Sequence, residues 1–408
     1  MFQPRPNAFR SVLPLLLLAA ACTGPAGPRE TSHLPAAVTT ARRVVEVFER
    51  RHVDGGRLDD ARSRRMFEHL LSRLDPGREP TRACGQGRAE LEHWAERLDD
   101  ALWEGDLGFP ELAAQRCTGR VIGRTQARSL LFDALAKSFD PHSAFLPPGP
   151  LAAVDEPTFA RAQVVERAGA RIGHLVVPSL YLRFDGRSTS GDLIHLVQVL
   201  KQRKAQVLLL DLRGNGGGVM SEVPKMAAML TGPVAAGYVL EREPPPITLV
   251  EPRQHQVWHG PLVVAVDGWT ASGAELLASA LQDHGRALVA GERTQGKGTV
   301  QSLVWLSSPL GTRVPAVRVT SARMFRPSGT GLQRTGVVPD IPFAPSAQVE
   351  RERDRPGALP VRDLQVTGVV APLMLPARLR AELTAAAAGR DGTEALLRLS
   401  ALWSTVQR

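Results

Sequence analysis

Three glycine-bearing turns, one with a serine and one with a lysine, carry the chemistry this chain could perform. Asp211-Leu-Arg-Gly-Asn-Gly-Gly-Gly218 follows directly on the apolar run Val207–Leu212. Consecutive glycines allow positive φ and let backbone N–H groups converge on an anion, although a plain glycine-rich turn would read the same way. Asp267-Gly-Trp-Thr-Ala-Ser-Gly-Ala-Glu275 reads as a strand-to-helix turn, with Ser272 at or near the helix start between Ala271 and Gly273. An isolated serine there is most simply an N-cap. Its small neighbours nevertheless leave the hydroxyl approachable, and the Gly273 N–H points with a helix dipole that favours developing negative charge.

The third turn, Gly291-Glu-Arg-Thr-Gln-Gly-Lys-Gly-Thr-Val-Gln301, nearly matches the phosphate-binding pattern GxxxxGK[ST]. Gly298 stands where the magnesium-binding hydroxyl should be, and the following Thr-Val-Gln-Ser-Leu-Val-Trp reads as strand, whereas a phosphate loop opens a helix. The remaining reading is that flanking glycines leave Lys297 unobstructed. A lysine acts as a general base only if burial depresses its pKa toward neutrality. Ser272 and Lys297 lie 25 positions apart, enough for one helix and one strand to return the chain to the same sheet edge. The two would then form a Ser–Lys dyad, a known variant of nucleophile plus base.

The elements that must position these turns change in character along the chain. Arg5 and Arg10 precede the apolar run Val12–Ala21, too short to span a bilayer, which reads as an export signal. Leu18-Ala-Ala-Ala-Cys22 resembles a bacterial lipoprotein cleavage box, with Cys22 the residue to be acylated; ordinary signal cleavage near Ala21 is the alternative. Residues 23–35 are a Pro/Gly/Thr-rich linker. Helical periodicity follows over about 36–53, 58–74, 87–105 and 124–138, giving a helical N-terminal domain, 36–150. Cys84 and Cys117 are the cysteines left once Cys22 is processed, and in an oxidising compartment they suggest a disulfide; two free core thiols are the bland reading. From about 171 buried strands (172–177, 207–212, 262–266, 287–290) alternate with helices (190–203, 272–284), the texture of an α/β layer with largely parallel strands. The chain is helical again from about 373.

Composition narrows the classes further. With 408 residues and 43% hydrophobic content the chain can bury real cores, which excludes wholesale disorder. The +9 net charge comes from scattered arginines, with only five lysines, and forms no basic stripe, so no nucleic acid is expected. No CxxC, HExxH or Cys/His cluster points to a metal.

Taken together, these pieces resemble the carboxy-terminal processing (tail-specific) serine peptidases. The resemblance rests on Asp140-Pro-His-Ser-Ala-Phe-Leu-Pro147, IGHLVVPSLY at 172–181, DLRGNGGG at 211–218, GPLVVAVDGWTASGAE at 260–275, LQDHGRALVAGERTQGKGTVQ at 281–301 and GVVPDI at 336–341. It covers roughly 130–345. It implies a crotonase/ClpP-like α/β core at 172–345, a sheet with flanking helices, after a 151–171 connector and before a C-terminal helical extension, 346–408. It also implies roles: Ser272 as nucleophile, Lys297 as general base, Gln301 orienting the lysine, and N–H groups of Gly273 and of Gly217 or Gly218 as the oxyanion hole. Glu275, Asp283 and Thr294 match supporting positions. Asp283-His284 raises a Ser–His–Asp triad, which the family does not need. No cofactor is implied.

The chain departs from the family in one large respect. Members usually carry a PDZ domain before the first core strand, yet only 25 residues separate Leu146 from Ile172. That pocket captures a substrate's C-terminal carboxylate, so tail recognition is in doubt while the chemistry is not. The expectation is a periplasmic serine endopeptidase, lipid-anchored to the membrane, that cleaves envelope proteins. An adaptor protein contacting the helical domain is a further possibility. The competing class is a non-proteolytic scaffold or ligand-binding lipoprotein on the same fold, which would not need Ser272, Lys297 and both glycine donors together.

Overall fold

The computed structural model describes residues 36–77, 82–85, 87–148, 158–306, 315–345, 347–367, 372–388 and 392–407. The export signal, Cys22 and the linker lie outside them.

The N-terminal segment folds as helices α1 (Ala36–Arg51), α2 (Asp60–Leu74), α3 (Gly87–Leu91), α4 (Leu98–Glu104), α5 (Phe109–Thr118) and α6 (Arg124–Phe139). Asp59 starts α2 by accepting the Arg62 N–H, as an N-cap should. Helix α5 was not legible as a periodic run; Pro110 sits in its first turn and Gly119, at φ 68°, ends it. These helices bury Val44, Phe48, Phe67, Leu70, Leu102 and Leu135 in one core, and that core continues into Val317 and Val319 of a β-sheet. The helical segment therefore packs directly on the rest of the molecule.

The remainder holds two sheets. Strands β1 (Ala144–Leu146), β5 (Gly237–Glu241), β6 (Ile247–Leu249), β9 (Thr299–Trp305) and β10 (Ala316–Phe325) form one, centred on β10 and antiparallel throughout. The second runs β11 (Ile341–Pro342), β8 (Leu288–Gly291), β7 (Leu262–Val266), β4 (Val207–Asp211), β3 (Ala170–Val176), β2 (Arg161–Arg167). All its pairings are parallel except β2–β3. Strand β2 lies in the stretch read as a connector and pairs with β3 along its length, so the sheet begins at Arg161.

The near-continuous apolar strands are explained by burial on both faces. Leu208, Leu210 and Val264 pack against α7 (Thr189–Gln202), α8 (Glu222–Thr231) and α9 (Gly273–Asp283). Val207, Leu209, Val263 and Ala265 pack against Leu383 of α10 (Ala377–Ala387) and Leu396, Leu399 and Trp403 of α11 (Gly392–Val406).

A disulfide joins Cys84 to Cys117 across a separation of 33 residues, tying the turn before α3 to the last turn of α5. Replacing both cysteines by serine is expected to cost roughly 3–4 kcal/mol of stability by loop entropy, read as a lower denaturant midpoint. A midpoint that does not move, in the double variant or in reductant, would show that the helical core holds itself.

Candidate active site

Ser272 sits between β7 and α9, on a turn built from the glycine loop beside it. Asp267 Oδ1 accepts the N–H groups of Trp269 (3.0 Å), Thr270 (2.9 Å) and Gly214 (3.0 Å). The Thr270 hydroxyl donates to the Leu212 carbonyl at 2.9 Å, and Ala271 N–H donates to the Asn215 carbonyl at 2.9 Å. Three ties thus weld the 211–218 turn to the 267–272 turn. Under that constraint Ser272 takes φ 56°, ψ −124°, a conformation costly for a residue with a side chain. Strain of this kind at a strand-to-helix serine lifts the hydroxyl above the sheet edge, as in a nucleophile elbow.

The glycine donors divide into committed and free. Gly217 presses on the serine, since a Cβ there would lie 2.9 Å from Ser272 Cβ and 3.0 Å from Gly273 N, at φ +95°. Its own N–H, however, donates to Asn215 Oδ1 at 2.8 Å. The N–H groups of Gly218 and Gly273 meet no acceptor among the described residues. Of the two glycines left open by the sequence, Gly218 is the one whose N–H is uncommitted among the described residues.

Glu275 lies one turn into α9 and is wholly buried. Its Oε2 accepts the N–H of Ser272 at 2.7 Å and the N–H of Lys297 at 2.9 Å. Its Oε1 accepts the Thr294 hydroxyl and the Gly296 N–H, both at 2.6 Å. Thr294 in turn accepts the Val337 N–H at 2.7 Å. Burial pushes the Glu275 carboxyl up to about 7 against the pull of these four donors. One carboxylate oxygen therefore binds the backbones of both Ser272 and Lys297.

The lysine turn is clamped along its whole length. Thr294 N–H donates to Val337 O (3.2 Å), Gln295 N–H to Thr270 O (3.0 Å), and Gly298 N–H to Gln333 Oε1 (2.9 Å), beside the two bonds to Glu275. Five successive N–H groups are spent on the protein itself. A phosphate cradle needs such donors free, so the near-match to a phosphate loop is explained and set aside. The Lys297 side chain makes no hydrogen bond or ion pair among the described residues, and burial lowers its pKa below the ordinary lysine value. No hydrogen bond joins it to the Ser272 hydroxyl.

Gln301, on β9, donates its amide to the hydroxyls of Thr299 (3.1 Å) and Thr320 (3.2 Å) rather than meeting Lys297. Thr320 donates on to Asp140 at 2.9 Å, and Asp140 is paired with His52 at 3.0 Å. Burial works against the charge on Asp140, but the bonds from His52 and Ser143 hold its carboxyl down at about 2. Asp283 stands at the far end of α9, about 15 Å along the axis from Gly273 at the usual rise per residue. It is gripped by Arg326 and by the Ser328 N–H at 3.0 Å. His284 turns to the Ala235 carbonyl at 2.8 Å. The Asp283-His284 pair forms no relay to Ser272.

The sequence pointed to Asp140-Pro-His-Ser as a motif without a role, and gave no sign of Gln333 or Glu352. Glu352 opens a single 3-10 turn, Glu352–Asp354, in the extension read as helical, and no periodicity or spacing marks a buried glutamate.

Residues 171–343 match Peptidase family S41, and residues 44–129 match the Tail specific protease N-terminal domain. Carboxyl-terminal-processing peptidase 3 of Arabidopsis thaliana is 35% identical over 158 residues, 38% of this chain and 29% of that protein. The tail-specific protease of Haemophilus influenzae is 31% identical over 190 residues, 43% of this chain and 25% of that protein. The chain thus spans less than a third of the length of these relatives. A solved lipoprotein from Streptococcus agalactiae superposes with a TM-score of 0.50 at 14% identity, over 78% of this chain and 95% of that one, which shows a common fold.

Glu275→Gln places an NH₂ against at least one of the buried N–H donors whichever way the amide turns. The expected loss is about 1–3 kcal/mol in unfolding free energy, with a fall in kcat as the serine and lysine turns part. Wild-type stability and turnover in this variant would show that the carboxylate joins nothing of importance.

Proposed function

The chain belongs to peptidase family S41, of the carboxy-terminal processing, tail-specific type, and on that premise we propose that it is a serine endopeptidase working through Ser272 and Lys297. The observation that carries the reading is Lys297: its desolvated side chain makes no hydrogen bond or ion pair among the described residues, and its backbone N–H shares with that of Ser272 one carboxylate oxygen of Glu275. Desolvation of a lysine that makes no direct ion pair favours the neutral amine, the form that accepts a proton.

In the proposed reaction the neutral Nζ takes the Ser272 hydroxyl proton as Oγ bonds to the substrate's carbonyl carbon. The oxyanion that forms is met by the N–H groups of Gly218 and Gly273, donors of a kind worth about 3–4 kcal/mol each. Collapse breaks the C–N bond, and the lysine ammonium gives its proton to the departing amine. Water, deprotonated by the same lysine, then attacks the Ser272 ester, releasing the new carboxyl terminus and restoring the hydroxyl. Gln301 acts in this reading by steadying the start of β9, next to the lysine turn, through the hydroxyls of Thr299 and Thr320.

The substrates proposed are protein chains of a bacterial envelope, reached after export and acylation at Cys22. The bridge between Cys84 and Cys117 supports an oxidising compartment such as the periplasm. Since β2 takes up part of the short interval after Leu146, substrate selection falls to surfaces other than a PDZ groove, or to an adaptor.

Incubation of the mature protein with a denatured test protein, followed by mass analysis, tests this. Ser272→Ala and Lys297→Ala should each lower cleavage by at least about 10³-fold with the circular dichroism of the wild type. Cleavage surviving in both would end the proposal. Because the neutral amine is the active form, kcat/KM should rise with pH and level off below the ordinary lysine value of 10.5.

A further inference from the structure

Two carboxylates sit on the turn that carries Lys297. One is Glu275, engaged by four donors. The other is Glu352, which belongs to the stretch 347–367 that crosses the lysine turn between β11 and α10 and has no exposed surface. Glu352 N–H donates to the Gln295 carbonyl at 3.0 Å, which seats it against the turn. Each of its oxygens has a donor: Oε2 has His142 Nε2 at 2.8 Å and Oε1 has Gln333 Nε2 at 2.7 Å. Gln333 closes the circle by accepting the Gly298 N–H, one residue from Lys297.

A buried carboxylate beside a buried amine ordinarily pairs with it as a salt bridge, which would hold the lysine as an ammonium and remove the base. We infer that His142 and Gln333 are positioning residues for the reaction: by each donating to one oxygen of Glu352 they fix the orientation of this carboxylate, so that it does not swing to pair with Lys297. The inference rests on Lys297 being the general base. It draws on the whole charge environment of the amine, in which Glu352 and Glu275 favour the ammonium while Arg318 and Arg355 oppose it. His142 is itself fixed, its N–H donating to Asp140 Oδ1 at 2.8 Å and its carbonyl accepting Arg318 Nε at 3.0 Å. Asp140 also anchors Gln301 through Thr320, so one turn supports both sides of the lysine.

The test is the pH profile of kcat/KM on a denatured protein substrate for the wild type, His142→Ala, His142→Gln, Glu352→Gln and the double variant His142→Ala/Glu352→Gln, with Lys297→Ala as baseline. Releasing Glu352 in His142→Ala should move the acidic limb upward by roughly one pH unit. His142→Gln keeps a neutral donor and should restore the wild-type limb. Glu352→Gln removes the anion and should move the limb downward, and the double variant should follow Glu352→Gln. A His142→Ala enzyme that loses rate with its limb unmoved would overturn the inference, as would one as inactive as Lys297→Ala at every pH, which would make His142 a reacting base. Should His142→Ala fail to fold, Glu352→Gln alone decides, and an unmoved limb there refutes it. Activity retained by Lys297→Ala would instead sink the Ser–Lys reading itself, a distinct result.

Discussion

The structure depends on one buried carboxylate. Glu275 brings a charge into a site with no water-facing surface, and taken alone that burial would cost several kcal/mol. It is tolerated because three backbone N–H groups and a hydroxyl, drawn from both the serine turn and the lysine turn, point at it. The arrangement works in both directions. Those N–H groups would themselves be buried without an acceptor if the glutamate were gone. Neither turn can move independently without stranding polar groups, so the strained backbone of Ser272 is over-determined by its surroundings. Among the described residues the N–H groups of Gly218 and Gly273 stay uncommitted beside these ties.

The helical segment is part of the same constraint. His52, just beyond α1, pairs with Asp140, and Asp140 holds Thr320 and through it Gln301. Val53 N–H donates to the Thr320 carbonyl at 2.8 Å, and the helical core runs unbroken into β10. A segment that the sequence presents as a separate helical domain, open to an adaptor, is thus built into the support of β10 and Gln301. Loss of activity on deleting residues 36–140 would follow from this support alone and would say nothing about a partner.

What could be read from sequence follows from how far apart the cooperating residues are. Strands β3, β4, β7 and β8 are legible as apolar runs because both faces are covered, and α7 and α9 because one stripe is. Strand β10 is opaque because Arg318 and Arg323 interrupt it. Arg323 is buried only because Asp54, 269 positions away, accepts its guanidinium at 2.7 and 2.8 Å. Ser272 and Lys297 stand out by local glycine chemistry, whereas the acceptors and donors that define their state come from distant turns. That the Gly217 N–H is already bonded could not be read without seeing the Asn215 side chain folded back on the loop. Glu352 and Gln333 carry no local signature at all.

The position of Glu352 has a cause in the architecture. A parallel sheet made of strands apolar on both faces must be covered twice. Helices α7, α8 and α9 arise between the strands and cover one face. The other face, with Val207, Leu209, Val263 and Ala265, is covered only by α10 and α11, which follow the last strand. To reach it the chain leaves β11 and passes along the serine and lysine turns. There Val349 packs on Gly268, with a Cβ at that glycine only 3.1 Å from it, and Arg351 donates to the Thr294 carbonyl at 3.0 Å. The stretch then runs along the turn after β10, where Asp363 accepts the Gly331 N–H at 2.9 Å and Leu364 N–H donates to Gly329 at 2.8 Å. The demand for a second apolar cover thus brings an acidic residue to the edge of the site, where His142 and Gln333 meet its two oxygens.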